Sequence, residues 1–388
     1  MKTNGEWRLG PALVGLGSLL VYILACTSFS PDDSKVLYPT FDPKSGTTAV
    51  AVYDRTTAKS EILFEPQASG INQKAKAVLL RPQWVQNGHG FLAIWDSSTN
   101  AGRSSCSVAF VPFGRAGTPR IFPLPEDCSS EVYLYPLPVV GNFLFLTDGS
   151  NLITRLNYQT GETLRKTNEF ENALLPSPGD DRVFYLTDDH KSNGSFEIGV
   201  MDPATLAQTA LFRVADENIS GQSITFSRDA RILAYQSENE SPLMIHLLET
   251  GKPARVLVLT TLDGWVGGWK IRLREFSPTG DVLYASVSHT NAETTNTECG
   301  FLEIPLDGSQ VRKTLLLTNI SGGDKSDLGN FEVDLSHDGK TLAADSFWLV
   351  GENPSTKPED CGLFLVDLTS PGRKATKVLI PLIPKERK

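Results

Sequence analysis

Residues that could do chemistry are scattered along this 388-residue chain and form no known catalytic motif. None of the five histidines stands three or four positions from another, and neither H-E-x-x-H nor G-x-S-x-G occurs. Paired aspartates such as Asp32–Asp33 and Asp180–Asp181 fall among Pro, Ser and Gly. That setting is typical of solvated turns and not of acid–base catalysis. The sequence therefore predicts no catalytic residue, no metal site and no cofactor.

The first 26 residues have the layout of an export signal. Lys2 and Arg8 precede the uncharged apolar run Leu9–Ala25, which Cys26 follows directly. The stretch ILAC that ends at Cys26 resembles the lipobox of bacterial lipoproteins, and this resemblance implies that Cys26 is acylated and becomes the mature N-terminus. An uncleaved signal anchor and a plain signal peptide cut near Ala25 are the alternatives. All three place the body of the protein outside the cytoplasm.

Cysteine usage agrees with export. Lipidation of Cys26 would explain the odd total and leave four cysteines, enough for two disulfides in an oxidising compartment. We predict the pair Cys106–Cys128, which is close in sequence, and the pair Cys299–Cys361, which opens two similar segments. Free buried thiols are the alternative. Zinc is not predicted, because no C-x-x-C occurs and no histidine is near a cysteine.

A repeated element supplies the strongest evidence on architecture. The stretches SFSPDD, TFSRDA, EFSPTG and DLSHDG, together with three looser relatives, recur about every 50 residues between Ser30 and Ser336. Around each one, four short apolar segments alternate with turns rich in Pro, Asp, Asn and Gly, which describes one propeller blade. A β-sandwich would also have short strands, but it predicts no such self-similarity.

We therefore predict an all-β chain with a signal or anchor segment over residues 1–25 and a single β-propeller domain over residues 26–388. Seven blades of four antiparallel strands fit the repeats best, and six or eight are the alternatives. The elements FSPDD, FSRDA, FSPTG and LSHDG resemble the repeats of TolB-like, WD40-like (PD40) β-propellers over about residues 27–385. This resemblance implies that each element joins the inner strand of a blade to the second strand.

Within a propeller, a few residues become candidates for ligand binding. Four charged residues fall on predicted inner strands, where they could line the mouth of a central channel: Arg81, Arg272, Arg274 and Glu332. Trp265 and Trp269 lie in the predicted connection between blades five and six. They could stack on a ligand, and filling the space between blades is the alternative.

The predicted loops between second and third strands are long in blades two, four, six and seven. By resemblance to known propellers, these loops lie on the same face as the blade-to-blade crossovers. Long loops on a rigid scaffold often bind partners, so the sequence predicts one elaborated polar face. Tolerated surface insertion is the alternative.

Charge excludes one class of partner. The formal net charge is −9 and no basic stripe is present, whereas nucleic-acid binding needs clustered Lys and Arg. The sequence thus predicts an exported, membrane-tethered propeller of the bacterial cell envelope, facing the periplasm or the exterior. It would bind a protein or peptide partner without catalysis. A hydrolase or lyase with its site at the channel mouth is the alternative.

Overall fold

The computed structural model describes the chain between Thr27 and Val378 with internal gaps. The described residues are 27–42, 47–65, 76–85, 87–98, 104–113, 118–123, 138–147, 152–167, 172–176, 182–189, 195–215, 219–237, 243–259, 269–290, 296–321, 332–345 and 362–378. Cys26 and the segment before it lie outside these residues. In the part of the chain so described, no helix has the length and apolar character needed to cross a membrane.

Seven four-stranded antiparallel sheets, each made of four consecutive strands, form the structure. Blade 1 is β1 (Ser28–Phe29), β2 (Lys35–Asp42), β3 (Thr47–Asp54) and β4 (Lys59–Phe64). Blade 2 is β5 (Lys76–Trp84), β6 (Gly90–Ser98), β7 (Ser104–Pro112) and β8 (Arg120–Pro123). Blade 3 is β9 (Val139–Val140), β10 (Phe143–Thr147), β11 (Leu152–Asn157) and β12 (Thr163–Thr167). Blade 4 is β13 (Asn172–Pro176), β14 (Val183–Asp189), β15 (Ser195–Met201) and β16 (Gln208–Ala215).

The remaining three blades follow the same order. Blade 5 is β17 (Ile219–Phe226), β18 (Ile232–Ser237), β19 (Leu243–Glu249) and β20 (Arg255–Leu259). Blade 6 is β21 (Trp269–Phe276), β22 (Val282–Thr290), β23 (Asn296–Pro305) and β24 (Arg312–Ser321). Blade 7 is β25 (Glu332–Leu335), β26 (Thr341–Asp345), β27 (Leu363–Asp367) and β28 (Ala375–Lys377). The predicted all-β, seven-bladed propeller is confirmed.

The antiparallel order gives the propeller two distinct faces. Turns between first and second strands, and between third and fourth strands, lie at one end of every blade, which we call the turn face. The opposite end of every blade is called the crossover face. It contains the C-terminal ends of the second and fourth strands and the N-terminal end of the third strand. The inner strand of each blade therefore runs from the crossover face to the turn face.

The hydrophobic core lies between neighbouring blades and not within any single one. Leu37 and Val50 of blade 1, for example, pack with Trp84 and Phe91 of blade 2. A single sheet cannot bury both of its apolar faces, and radial stacking buries them against the adjacent sheets.

A serine-centred turn joins the first two strands in four blades. In blade 7 the Ser336 N–H donates to the Thr341 carbonyl at 2.8 Å, and the Thr341 N–H donates back to Ser336 Oγ at 2.9 Å. Ser336 Oγ in turn donates to Asp338 Oδ1 at 2.7 Å. The hydroxyl is both donor and acceptor, so one serine satisfies the backbone and orients the aspartate. The same arrangement is built around Ser30, Ser227 and Ser277.

Candidate functional site

The inner strands are joined from blade to blade by hydrogen bonds that the sequence analysis did not anticipate. In the blades concerned, the inner strand ends in an aromatic residue or Leu. The side chain of the residue just before it accepts a hydrogen bond from the backbone N–H of the corresponding aromatic residue or Leu in the next blade. Asp334 Oδ2 accepts from Phe29 at 3.1 Å, and Glu275 Oε2 accepts from Leu335 at 3.0 Å. Ser28 Oγ accepts from Trp84 at 3.2 Å. These bonds satisfy edge N–H groups beside the channel, so several polar inner-strand residues have a structural role.

Between Thr27 and Val378, the first and last blades share no described strand, and a polar cluster spans their junction. We call Asp33, His337 and Asp338 the closure clasp. Asp33 Oδ1 accepts the His337 N–H at 2.9 Å and lies 2.8 Å from His337 Nδ1, while Asp33 Oδ2 accepts the Asp338 N–H at 3.0 Å. Arg55 adds a second link by donating to the Asp33 carbonyl and to Thr341 Oγ1, each at 2.6 Å.

The clasp explains an irregularity of the first repeat. Asp33 has a φ of 57°, at a position where blades 6 and 7 have Gly280 and Gly339 with φ of 73° and 70°. Aspartate is tolerated in the left-handed region but glycine costs less there. The carboxylate of Asp33 is what holds the turn of blade 7, so the residue type follows from its contact across the junction.

The predicted channel residues lie on inner strands, and two of them have described side chains. Arg272 and Arg274 are half-buried on β21. Arg274 stands where the pairing of β21 with β22 shifts register, and its Nε donates to the buried Ser286 Oγ at 3.0 Å. Its carbonyl accepts from Thr225 Oγ1 of blade 5 at 2.8 Å. The guanidinium of Arg274 is therefore held over the second strand of its own blade.

The other predicted binding residues are described in backbone only or not at all. Arg81 is on inner strand β5, at the register shift between Leu80 and Pro82, and Glu332 begins inner strand β25. Trp269 begins β21, so it belongs to an inner strand and not to the connection before it. The side chains of these three residues, and the whole of Trp265, lie outside the described residues.

One of the predicted disulfide cysteines can be examined. Cys299 is a free, fully buried thiol on β23, and burial raises its pKa to about 12. The structure thus does not show the predicted bond between Cys299 and Cys361. Cys361 and Cys128 lie outside the described residues, as does the side chain of Cys106 on β7, so both pairings stay predictions.

Carboxylates of the turn face are held in their ionised form by turn hydrogen bonds. The Ser30 hydroxyl and the Ser34 hydroxyl and N–H lower the pKa of Asp32 to about 2. Ser277 and Thr279 hydroxyls lower the pKa of Asp281, and backbone N–H groups of Thr205 and Ala204 lower that of Asp202. General acids need a raised pKa, so these groups are turn formers. Among the described residues, no cluster of His, Cys, Asp or Glu could hold a metal ion.

The crossover face is extended by two long hairpins. Strands β6 and β7 of blade 2 have nine residues each, and β22 and β23 of blade 6 have nine and ten, against five each for β26 and β27 of blade 7. The blade 6 hairpin is polar towards its tip, where His289 pairs in register with Glu298. Its Ser286 and Ser288 are buried. Long hairpins on a rigid scaffold are a common place for a binding surface.

Several solved structures share this fold at low sequence identity. Hydrazine synthase from Kuenenia stuttgartiensis superposes with a TM-score of 0.51 and 14% identity, covering 91% of this chain and 97% of that chain. A prolyl endopeptidase has a TM-score of 0.50 and 14% identity, covering 82% of this chain and 46% of that one. TolB from Acinetobacter baumannii has a TM-score of 0.45 and 13% identity, covering 74% of this chain and 65% of that one.

These similarities identify the fold and not the function. The chain spans about half the length of the prolyl endopeptidase and 65% of TolB. No family model matches the sequence, and no curated protein matches it.

Proposed function

We propose that this protein is an exported, membrane-tethered β-propeller that binds a protein or peptide partner on its crossover face without catalysing a reaction. The observation that carries the proposal is the length of the hairpins of blades 2 and 6, whose paired strands have nine or ten residues and extend the crossover face. The acidic balance of the chain, −9, favours a protein or peptide partner over nucleic acid.

Two finer features belong to the same proposal. Acylation of Cys26 would supply the membrane tether, and the envelope would supply an oxidising environment for disulfides. Cys299 packs in the same cluster as Phe364, which is three residues after Cys361. Non-reducing mass mapping of the exported protein would test the Cys299–Cys361 pairing.

Photocrosslinking in intact cells tests the binding surface. A genetically encoded photoreactive residue would replace Glu298 at the tip of the blade 6 hairpin, and the matched control would carry it at Gln310, an exposed turn-face position of the same blade. We expect a discrete crosslinked protein at Glu298 and none at Gln310. Replacing residues 290–297 with Asn-Gly keeps the probe at position 298 opposite His289, and it should abolish the product while leaving the unfolding transition cooperative.

Two results would contradict the proposal. One is crosslinking that is equal at both positions or unaffected by the shortened hairpin. The other is turnover of a fluorogenic hydrolase or lyase substrate that is lost in Arg274→Ala, because this would place a reaction at the channel mouth instead.

A further inference from the structure

The fourth strand of each blade is the outer edge of its sheet, and in six blades this edge has a feature that discourages further pairing. The pairing of the fourth strand with the third shifts register in blades 1, 4 and 6. The fourth strand of blade 2 has four residues and ends at Pro123, and that of blade 7 has three residues. In blade 3 it has Arg165 and Lys166 in its interior. Bulges, proline, short length and charged side chains are the devices by which proteins protect sheet edges.

The outer strand of blade 5, β20, lacks these devices over most of its length. Its five residues, RVLVL, pair with β19 without a register shift, from Leu247 opposite Arg255 to Leu243 opposite Leu259. The one charged residue, Arg255, is the first, and the four that follow are apolar. None of the described strands pairs with the other edge of β20. This edge therefore presents backbone N–H and C=O groups along a regular apolar strand.

Two valines make one side of this edge apolar. Leu257 and Leu259 pack against the core between blades 5 and 6. Because side chains alternate along a strand, Val256 and Val258 point to the opposite face of the sheet. Each valine is 46% exposed, and no large apolar side chain among the described residues is more exposed. A strand added at this edge would cover both valines as cross-strand neighbours.

The seven outer strands together form a surface that we call the basic rim. They contain nine Lys or Arg residues and one acidic residue, Glu61, although the whole chain has a net charge of −9. Exposed arginines flank β20 on the outer strands of the neighbouring blades, Arg213 on β16 and Arg312 on β24. A second copy paired through β20 would bring its own basic rim against this one, and like charges repel. An acidic partner would be attracted instead.

We propose that β20 is a docking edge for an extended acidic segment of a partner protein, which adds to blade 5 as a fifth strand. Backbone hydrogen bonds along the edge supply affinity, and alternate side chains supply specificity, as in other cases of strand addition. Apolar residues of the segment cover Val256 and Val258. The residues between them are Asp or Glu, on the face that Arg255 shares. This surface is on the basic rim and not on the crossover face, so it is independent of the proposed function.

Fluorescence anisotropy with a synthetic peptide tests the docking edge in the full chain. The labelled probe is Glu-Val-Glu-Val-Glu-Val-Glu. One control peptide has the same composition without alternation, Val-Val-Val-Glu-Glu-Glu-Glu, and the other has Lys in place of every Glu. We expect saturable binding of the probe that weakens several-fold at high salt, and at least about tenfold weaker binding of both controls.

Matched variants locate the binding on β20. Val258→Glu puts a negative charge on the docking edge and should weaken binding of the probe at least about tenfold, because like charges repel. Leu164→Glu changes an exposed apolar residue on the outer strand of blade 3 and should leave binding unchanged. Hydrogen exchange should slow in β20 when the probe binds, and not in the other outer strands.

Several results would overturn the proposal. They are absence of probe binding, equal binding of the three peptides, equal binding to the two variants, and no protection of β20. Sedimentation of the chain without peptide tests the other occupant, since a dimer that Val258→Glu dissociates would assign β20 to a second copy. Crosslinking at Glu298 is a separate readout, so failure of the docking edge leaves the crossover-face site standing.

Discussion

At the residue scale, the polar side chains that first suggested chemistry have structural roles in the described part of the molecule. Turn aspartates accept hydrogen bonds from serine and threonine, and Asp334, Glu275 and Ser28 join one blade to the next. One charged pair is deeply placed: Arg373 donates to both carboxylate oxygens of Glu303, at 2.7 and 2.8 Å, across the junction of blades 6 and 7. Such bidentate pairs fix geometry as well as charge.

The closure clasp gives the first prediction. Asp33→Gly keeps a residue suited to positive φ but removes the acceptor of three contacts across the junction. We expect a loss of about 1–3 kcal/mol in the free energy of unfolding, because two backbone N–H groups lose their partner. Urea denaturation measures it. Ala58→Gly is the control, since Ala58 is exposed with φ of 54° in the turn between β3 and β4, and it should be neutral or slightly stabilising.

The turn carboxylates give a pH prediction. The pKa of Asp32 is lowered to about 2 in the folded protein, from an ordinary value of 3.8. A lowered folded pKa stabilises the protein above the unfolded value, and this stability is lost as pH falls from about 4 to 2. We expect the melting temperature of Asp32→Asn to fall less over that window than that of the native chain. Glu61→Gln, an exposed change on β4, should follow the native curve, and a matching curve for Asp32→Asn would contradict the prediction.

At the element scale, neighbouring serine-centred turns pack against one another around the turn face. A Cβ added at Gly339 would lie 2.7 Å from Cδ of Pro278 in the turn of blade 6. A Cβ at Gly88 of blade 2 would lie 3.7 Å from Cδ of Pro31 in blade 1, which is an ordinary contact. At Gly339 the small residue is therefore required both by positive φ and by the close approach of the preceding blade.

Two glycines allow these two requirements to be separated. Gly339→Ala combines a φ of 70° with the contact to Pro278, whereas Gly308→Ala has φ of 81° and nothing within 4 Å. We expect both substitutions to lower the free energy of unfolding by about 1 kcal/mol, because a Cβ is disfavoured at positive φ. Gly339→Ala should lose about 1–3 kcal/mol more, because its Cβ overpacks against Pro278. Thermal unfolding of the two variants gives the difference, and equal losses would show that the two turns do not press on each other.

The sequence predicted these elements well because each one is local. A turn and a strand are specified locally by a short sequence: Ser, a turn residue, Asp and Gly, followed by an apolar run. The rest of the chain is not needed to predict them. The hydrogen bonds from Asp334 to Phe29 and from Asp33 to His337 join residues about 300 positions apart, so no local pattern indicates them. The polar residue before each aromatic was visible in the repeats, but its role depends on the neighbouring blade. Arg274 bonds to Ser286 of its own blade, which the repeat pattern did not indicate either, and its place at the channel mouth stays a prediction.

At the scale of the whole molecule, side chains link blades 1 and 7, whose sheets share none of the strands that the structure describes. Phe29, Val36 and Tyr38 of blade 1 pack with Ala343, Leu363 and other residues of blade 7. Among the described residues, the junction is held by this apolar cluster, the closure clasp, the bond from Arg55 to Thr341 and the bond from the Phe29 N–H to Asp334.

The junction is therefore predicted to be the first part of the ring to open. Phe29→Ala removes a buried ring and should cost about 3–5 kcal/mol. We expect hydrogen exchange to rise selectively in β1 and in β25–β28. Phe226→Ala, at the equivalent position of blade 5, should cost a similar amount without selective exchange in those strands. A uniform rise in both variants would contradict this prediction.

Because each sheet is drawn from one uninterrupted stretch of chain, blades can assemble in the order in which they emerge. A polypeptide that emerges from its N-terminal end would build blade 1 at the start and keep Phe29 and Tyr38 uncovered until blade 7 arrives. During that interval the uncovered surface is open to association with another nascent copy.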